Sequence, residues 1–213
     1  AHTYLKVRFS LAGLLALHII IRALYSQPTA LVDLYLYNAI AFLAAILAFY
    51  SPTFNDNLAR ISLSGAIFLW AAGSTITTYN SFYAREIWPQ LSDIFYVAFY
   101  PLILFGLIRA LTAHLRFRPV EILDVVIITC GFSCLIATLF LESAMRRLSG
   151  SQTSVFLSIL YPVGDVVLLA LSIILVFMQP RALRSLLFVL AIAIFASTDL
   201  YFLYKSATTG YTF

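Results

Sequence analysis

Charge is the scarcest ingredient of this sequence. Only 13 Lys and Arg and 9 Asp and Glu occur in 213 residues, 10% of the chain, where soluble domains carry about a quarter. So few charges cannot clothe an apolar core in water, which excludes an ordinary water-soluble fold. Cysteine is almost absent. Cys130 and Cys134 stand four apart in one apolar stretch, the spacing of neighbours on one helix face, so buried thiols are expected rather than a disulfide or a metal site. Of the three histidines, His2 is terminal, His114 lies in a basic loop and only His18 falls at membrane depth. His18 is therefore the one candidate ligand for a haem or chlorophyll-type pigment; a bis-histidine haem needs two, and no cofactor is expected. No metalloprotease helix, nucleophile elbow, phosphate loop or paired-cysteine metal motif is present, so these residues are not expected to form an enzyme.

Apolar residues are what the chain has in quantity, 62% by number, with a mean hydropathy of +0.98. Lipid is the expected solvent, and a helix needs about 20 apolar residues to cross it. Breaks at Pro, charge and Ser/Thr/Asn clusters leave apolar stretches at about 7–25, 32–50, 58–79, 91–113, 120–142, 153–178 and 183–205. The expected fold is all-α, a polytopic bundle of about seven transmembrane helices in one domain over 1–213. Strands are excluded because stretches such as 102–111 and 166–176 do not alternate polar with apolar residues. The first stretch follows Lys6 and Arg8 but has no small-residue cleavage pattern before Ser26-Gln27-Pro28-Thr29, so it is read as a retained span and not a signal peptide.

Orientation follows from the basic residues. Lys6, Arg8, Arg60, Arg109, Arg116, Arg118, Arg181 and Arg184 fall on the amino-terminal side of the membrane, against Arg22, Arg85, Arg146, Arg147 and Lys205 opposite. Eight against five places the amino terminus in the cytoplasm. Retention of positive charge also explains the loop containing Arg109, His114, Arg116 and Arg118 without nucleic acid as a partner. Arg85, Glu86, Trp88 and Pro89 have the composition of an interfacial anchor.

Acids inside spans are the exceptions that call for a reason, since an ionised Asp at a helix centre costs roughly 2.5 to 3.5 kcal/mol. Asp93, Asp165 and Asp199 all fall in the outer half of the membrane on this topology, and Asp124 enters from the cytoplasmic side. Asp93, Tyr96 and Tyr100 share one helix face at i, i+3 and i+7, and Tyr161 and Asp165 are i and i+4. Pro101 and Pro162 put an expected bend beside each polar face. These groups suit a small wet cavity; the plain alternative is that each acid ties two helices together through hydrogen bonds. Ser74, Thr75, Thr77, Thr78, Tyr79 and Asn80 give the third span a polar end, fit either for that cavity or for the membrane interface. Arg22, one turn after His18 and near the outer surface, is expected to snorkel or to pair with a cavity Asp.

Ser92-Asp93-Ile94-Phe95-Tyr96, then Phe99-Tyr100-Pro101-Leu102 with Gly106-Leu107, Leu123-Asp124, Tyr161-Pro162-Val163-Gly164-Asp165 with Leu168-Leu169, and Asp199-Leu200-Tyr201 form an ordered set over about residues 65–211. In order and spacing the set resembles the multi-pass membrane input region of bacterial GGDEF and EAL (diguanylate cyclase and phosphodiesterase) signalling proteins. The resemblance implies a sensory module of the bacterial inner membrane, with Asp93, Tyr96, Tyr100, Tyr161, Asp165, Asp199 and Tyr201 as ligand-cavity candidates. Neither a GGDEF nor an EAL motif occurs in these residues, and the chain is expected to be part of a longer protein with an output domain. An accessory subunit of a larger membrane complex and a small transporter using Asp165 and Asp199 are the alternatives. Expected partners are membrane lipid, an unidentified small molecule, and further copies or membrane subunits.

Overall fold

In lipid, backbone N–H and C=O groups find no water, so an apolar chain must bond to itself as helix or close into a barrel. The computed structural model takes the helical solution. It describes residues 2–25, 27–51, 56–83, 89–112, 152–178 and 189–199, with positions 120, 123, 124, 127, 131, 134, 138, 187 and 201. All regular structure among the described residues is helical.

The elements are α1 (His2–Leu24), a π-helical segment (Ala30–Leu36) running directly into α2 (Tyr37–Phe49), α3 (Asn57–Tyr83), α4 (Pro89–Thr112), α5 (Gln152–Met178) and α6 (Val189–Asp199). Four helical stretches are long and apolar enough to cross a membrane: Tyr4–Leu24, Ala30–Phe49, Asn57–Tyr83 and Leu91–Ala110. They correspond to the first four stretches expected from the sequence. Most of 120–142 lies outside the described residues, as do Cys130 and the Arg85 to Trp88 anchor; Cys134 is a free, exposed thiol. The chain divides into two packing units, Ala1–Ala113 and His114–Phe213.

The first unit is held together by close helix contacts. Phe42 meets Phe68 at 5.1 Å, Tyr37 meets Trp70 at 6.2 Å, and Ser64 Oγ donates to the Ala45 carbonyl at 2.8 Å. Positions rising along α2 pair with positions falling along α3, so the two run antiparallel. The same holds for α3 and α4, where small residues set the spacing. A Cβ on Gly106 would come within 2.8 Å of Leu63 Cγ, and one on Gly65 within 3.0 Å of Leu102 Cδ2. Ala59, Ala66 and Ala71 are wholly buried on α3. Lipid supplies no hydrophobic drive between helices, so this close approach, with its dispersion contacts, replaces it.

Charges brace the helix ends. Asp56 Oδ1 accepts the Leu58 N–H at 2.9 Å, satisfying an open donor at the start of α3, and Oδ2 takes Arg109 Nε at 2.8 Å from the end of α4. The hydrogen bond and charge of Arg109 hold the Asp56 carboxyl below its ordinary value of 3.8. Arg22 Nε pairs with Asp33 Oδ1 at 3.2 Å, and the other Asp33 oxygen accepts the Thr29 N–H at 2.9 Å. The partner of Arg22 is thus Asp33 at the start of the next helical segment, not one of the expected cavity acids. Beyond this, α1 packs lightly. His18 is its one buried residue among those described, while Leu5, Phe9, Leu15, Ile19 and Leu24 are exposed as lipid-facing side chains should be.

In the second unit, Pro162 stands inside α5 without ending it. Leu168 and Ser172 are wholly buried, and Ser172 Oγ donates to the Leu168 carbonyl at 2.7 Å. Ser197 and Thr198 on α6 likewise satisfy their hydroxyls on the preceding turn, at 2.7 and 2.6 Å. These hydroxyls are satisfied within their own helices, which leaves Asp165 and Asp199 as the polar groups to account for among the described residues of the unit.

Candidate functional site

On α4, helical spacing puts Asp93, Tyr96 and Tyr100 on one face, and that face meets α3. Tyr100 is buried and Tyr96 half-buried. The Tyr96 ring lies against Gly73, where a Cβ would come within 3.0 Å of Tyr96 Cε1. Glycine is what lets the ring reach α3, and the Tyr96 hydroxyl then donates to Thr77 Oγ1 at 3.4 Å, a long bond. Ser74 is buried beside Gly73. One turn beyond Thr77, Asn80 Oδ1 is buried with no hydrogen-bond partner in the protein. The polar end of α3 therefore faces α4 at Thr77. Pro101 follows on the exposed side of the helix.

On α5, Asp165 is the most deeply buried acid among the described residues, 1% exposed. Its carboxyl is joined by a side-chain hydrogen bond to that of Asp199 on α6. The two acids thus meet between α5 and α6, where a proton, a cation or a hydrogen-bond donor between them relieves the repulsion of two like charges. Gly164 and Pro162 are buried next to Asp165, and Tyr161 is half-buried one turn earlier. Tyr201, grouped with these residues by the sequence, is 63% exposed. Asp124 is exposed.

The structure therefore brings together Asp165 with Asp199, and Tyr96 with Thr77 and Gly73. His18 is buried in the first unit with its ring 5.3 Å from that of Tyr37. Among the described residues, no group of three or more His, Cys, Asp and Glu gathers to hold a metal ion. Sequence reasoning missed three polar features: Asp33 as the partner of Arg22, the Asp56–Arg109 bridge, and buried Asn38. Asp33 had a legible signal, standing four residues after Thr29 at a helix start. Asn38 had none, because a lone amide in an apolar run announces neither its burial nor its neighbours.

No protein-family model, curated protein or solved structure matches this chain, so its function is read from the buried polar groups themselves.

Proposed function

We propose that the chain is a membrane-embedded sensory or regulatory input module of a bacterial cytoplasmic membrane, in which intramembrane polar groups receive a small-molecule signal and convert it into a change of helix packing. The observation that carries this reading is Asp165, buried in an apolar helix and hydrogen-bonded to Asp199. A carboxylate at membrane depth costs roughly 2.5 to 3.5 kcal/mol on insertion scales, whereas an interhelical hydrogen bond there contributes about 0.6 kcal/mol. As a mere helix tie the pair is a poor arrangement. As a site it is apt, because an amine, a cation or a hydrogen-bond donor can bridge the two carboxyl groups. The Asp93–Tyr96–Tyr100 face of α4 supplies a second set of hydroxyl and carboxyl groups. The resemblance to input regions of GGDEF and EAL proteins agrees with this reading, and we propose with it seven spans and a cytoplasmic amino terminus.

Thermal melting of the purified protein in lipid nanodiscs, against amino acids, amines and divalent cations, tests it. At least one class of compound should raise the melting temperature of the wild type and leave Asp165→Asn or Asp93→Asn unmoved. Identical silence from all three proteins would overturn the ligand-sensing reading.

The same carboxyl pair favours a second reading, a small proton- or cation-coupled transporter, because intramembrane acids are the groups that proton and cation pathways use. Proteoliposome flux that is abolished by Asp165→Asn and by Asp199→Asn supports it, and flux indifferent to both removes it.

A further inference from the structure

The chain enters α2 through a wider helix. Ala30–Leu36 is π-helical, and the Tyr37 N–H that closes it bonds to the Val32 carbonyl, five residues back. A π turn holds one residue more than an α turn, is rare beyond a single turn, and recurs at functional sites. Here it extends over seven residues, so specific contacts must favour it over the ordinary helix that continues from Tyr37.

Each neighbouring helix supplies one such contact. Towards α1, Asp33 Oδ1 takes Arg22 Nε at 3.2 Å, Asp33 Oδ2 accepts the Thr29 N–H at 2.9 Å, and Arg22 Nη1 donates to the Gln27 carbonyl at 3.2 Å. The end of α1, the linker and the start of the π segment are thereby tied into one knot. Towards α3, the Tyr35 side chain is hydrogen-bonded to that of Tyr83. Towards α2, Asn38 Nδ2 reaches back to the Leu34 carbonyl at 2.7 Å. Where i→i+5 bonding gives way to i→i+4 bonding, the backbone donors pass over one carbonyl, and Asn38 is the side chain that reaches into this junction. Asn38 is 3% exposed and its Oδ1 is buried with no hydrogen-bond partner. An amide with one atom unsatisfied is a costly way to fill an apolar position, so the contribution of Asn38 is its Nδ2 bond to the π segment.

Re-bonding the segment as α-helix would shift everything on its amino-terminal side by one residue against α2, about 100° around the axis and about 1.5 Å along it. Tyr35 would turn away from Tyr83, and the Arg22–Asp33 knot would carry the end of α1 with it. α1 is the helix free to follow, since His18 is its one buried residue among those described.

We infer that Ala30–Leu36 is a two-state element, π-helical here and α-helical in its alternative, with Asn38 as the catch that holds the π form and α1 as the helix that moves. None of Asp93, Asp165 and Asp199 takes part.

The test reads the distance between α1 and α2 by pulsed electron resonance in nanodiscs. Spin labels are placed on Phe9→Cys and Ile46→Cys, both exposed positions, in the whole chain with Cys130 and Cys134 replaced. Asn38→Leu, which fills the site without a donor, should move the distance distribution by several ångströms. Deleting Tyr35, which lies between Asp33 and Asn38, removes the extra residue and lets an α-helix join the knot to α2 in the original register. The deletion combined with Asn38→Leu should therefore return the distribution to that of the parent. An unchanged distribution in Asn38→Leu overturns the inference, and so does a shift that the deletion fails to reverse. If Asn38→Leu alone does not fold, the combined variant decides: folding with the parent's distance supports the switch, and any other result overturns it.

Discussion

At the scale of single residues, the protein is governed by a few polar groups whose partners are specific. The Asp165–Asp199 hydrogen bond requires a donor on one side, and an Asn amide supplies one as a protonated carboxyl does. Asp199→Asn is therefore expected to melt within a few degrees of the wild type. Asp165→Ala, which removes a buried partner, is expected to lower stability by about 1–3 kcal/mol, measurable by thermal or denaturant unfolding in detergent. The Asp56–Arg109 bridge makes a different, pH-linked prediction. Because the folded carboxyl is held below 3.8, it binds protons less readily folded than unfolded, so its contribution is fully present above that value and fades as pH falls through the lower folded one. The melting-temperature gap between wild type and Arg109→Gln should stay constant from pH 7 to about 5 and shrink below about pH 4. A gap that widens on acidification would contradict the assignment.

At the scale of elements, the first four spans were legible and their faces were not. The long apolar runs locate α1 to α4 to within a few residues, because hydrocarbon thickness and backbone self-bonding dictate length. In water, a polar stripe would also show which side of each helix faces out; in lipid both sides are apolar, and that signal disappears. The i, i+3, i+7 spacing sets Asp93, Tyr96 and Tyr100 along one side of α4, yet nothing in it revealed that Gly73 would receive the Tyr96 ring or that Gly106 would receive Leu63. Gly106→Ala should therefore destabilise by about 1–3 kcal/mol, as the Cβ meets Leu63 Cγ at 2.8 Å and its backbone nitrogen at 3.1 Å. Gly13→Ala, with no atom within 4 Å of the added Cβ, is the control and should be neutral or slightly stabilising through helix propensity. Unfolding of both variants in mixed micelles checks the pair; equal effects would mean that α3 and α4 are not packed through Gly106.

At the scale of the whole molecule, scarcity of charge determines both the environment and the places of interest. With 22 charged residues among 213, those inside helices stand out, and the structure finds two of them hydrogen-bonded to each other. The topology that accompanies the sensory reading is checked by single-cysteine labelling after replacing Cys130 and Cys134. In intact cells a membrane-impermeant maleimide should modify Glu86→Cys and spare Arg116→Cys, and the reverse pattern would invert the orientation. Binding alone would not make the protein a sensor, since a signal passes only when a ligand discriminates between two helix arrangements. The most direct test is backbone hydrogen exchange of the wild type in nanodiscs, with and without whichever compound raises its melting temperature. The account predicts altered exchange along residues 152–178 and 189–199 that extends beyond the turns carrying Asp165 and Asp199; protection confined to those turns would contradict it.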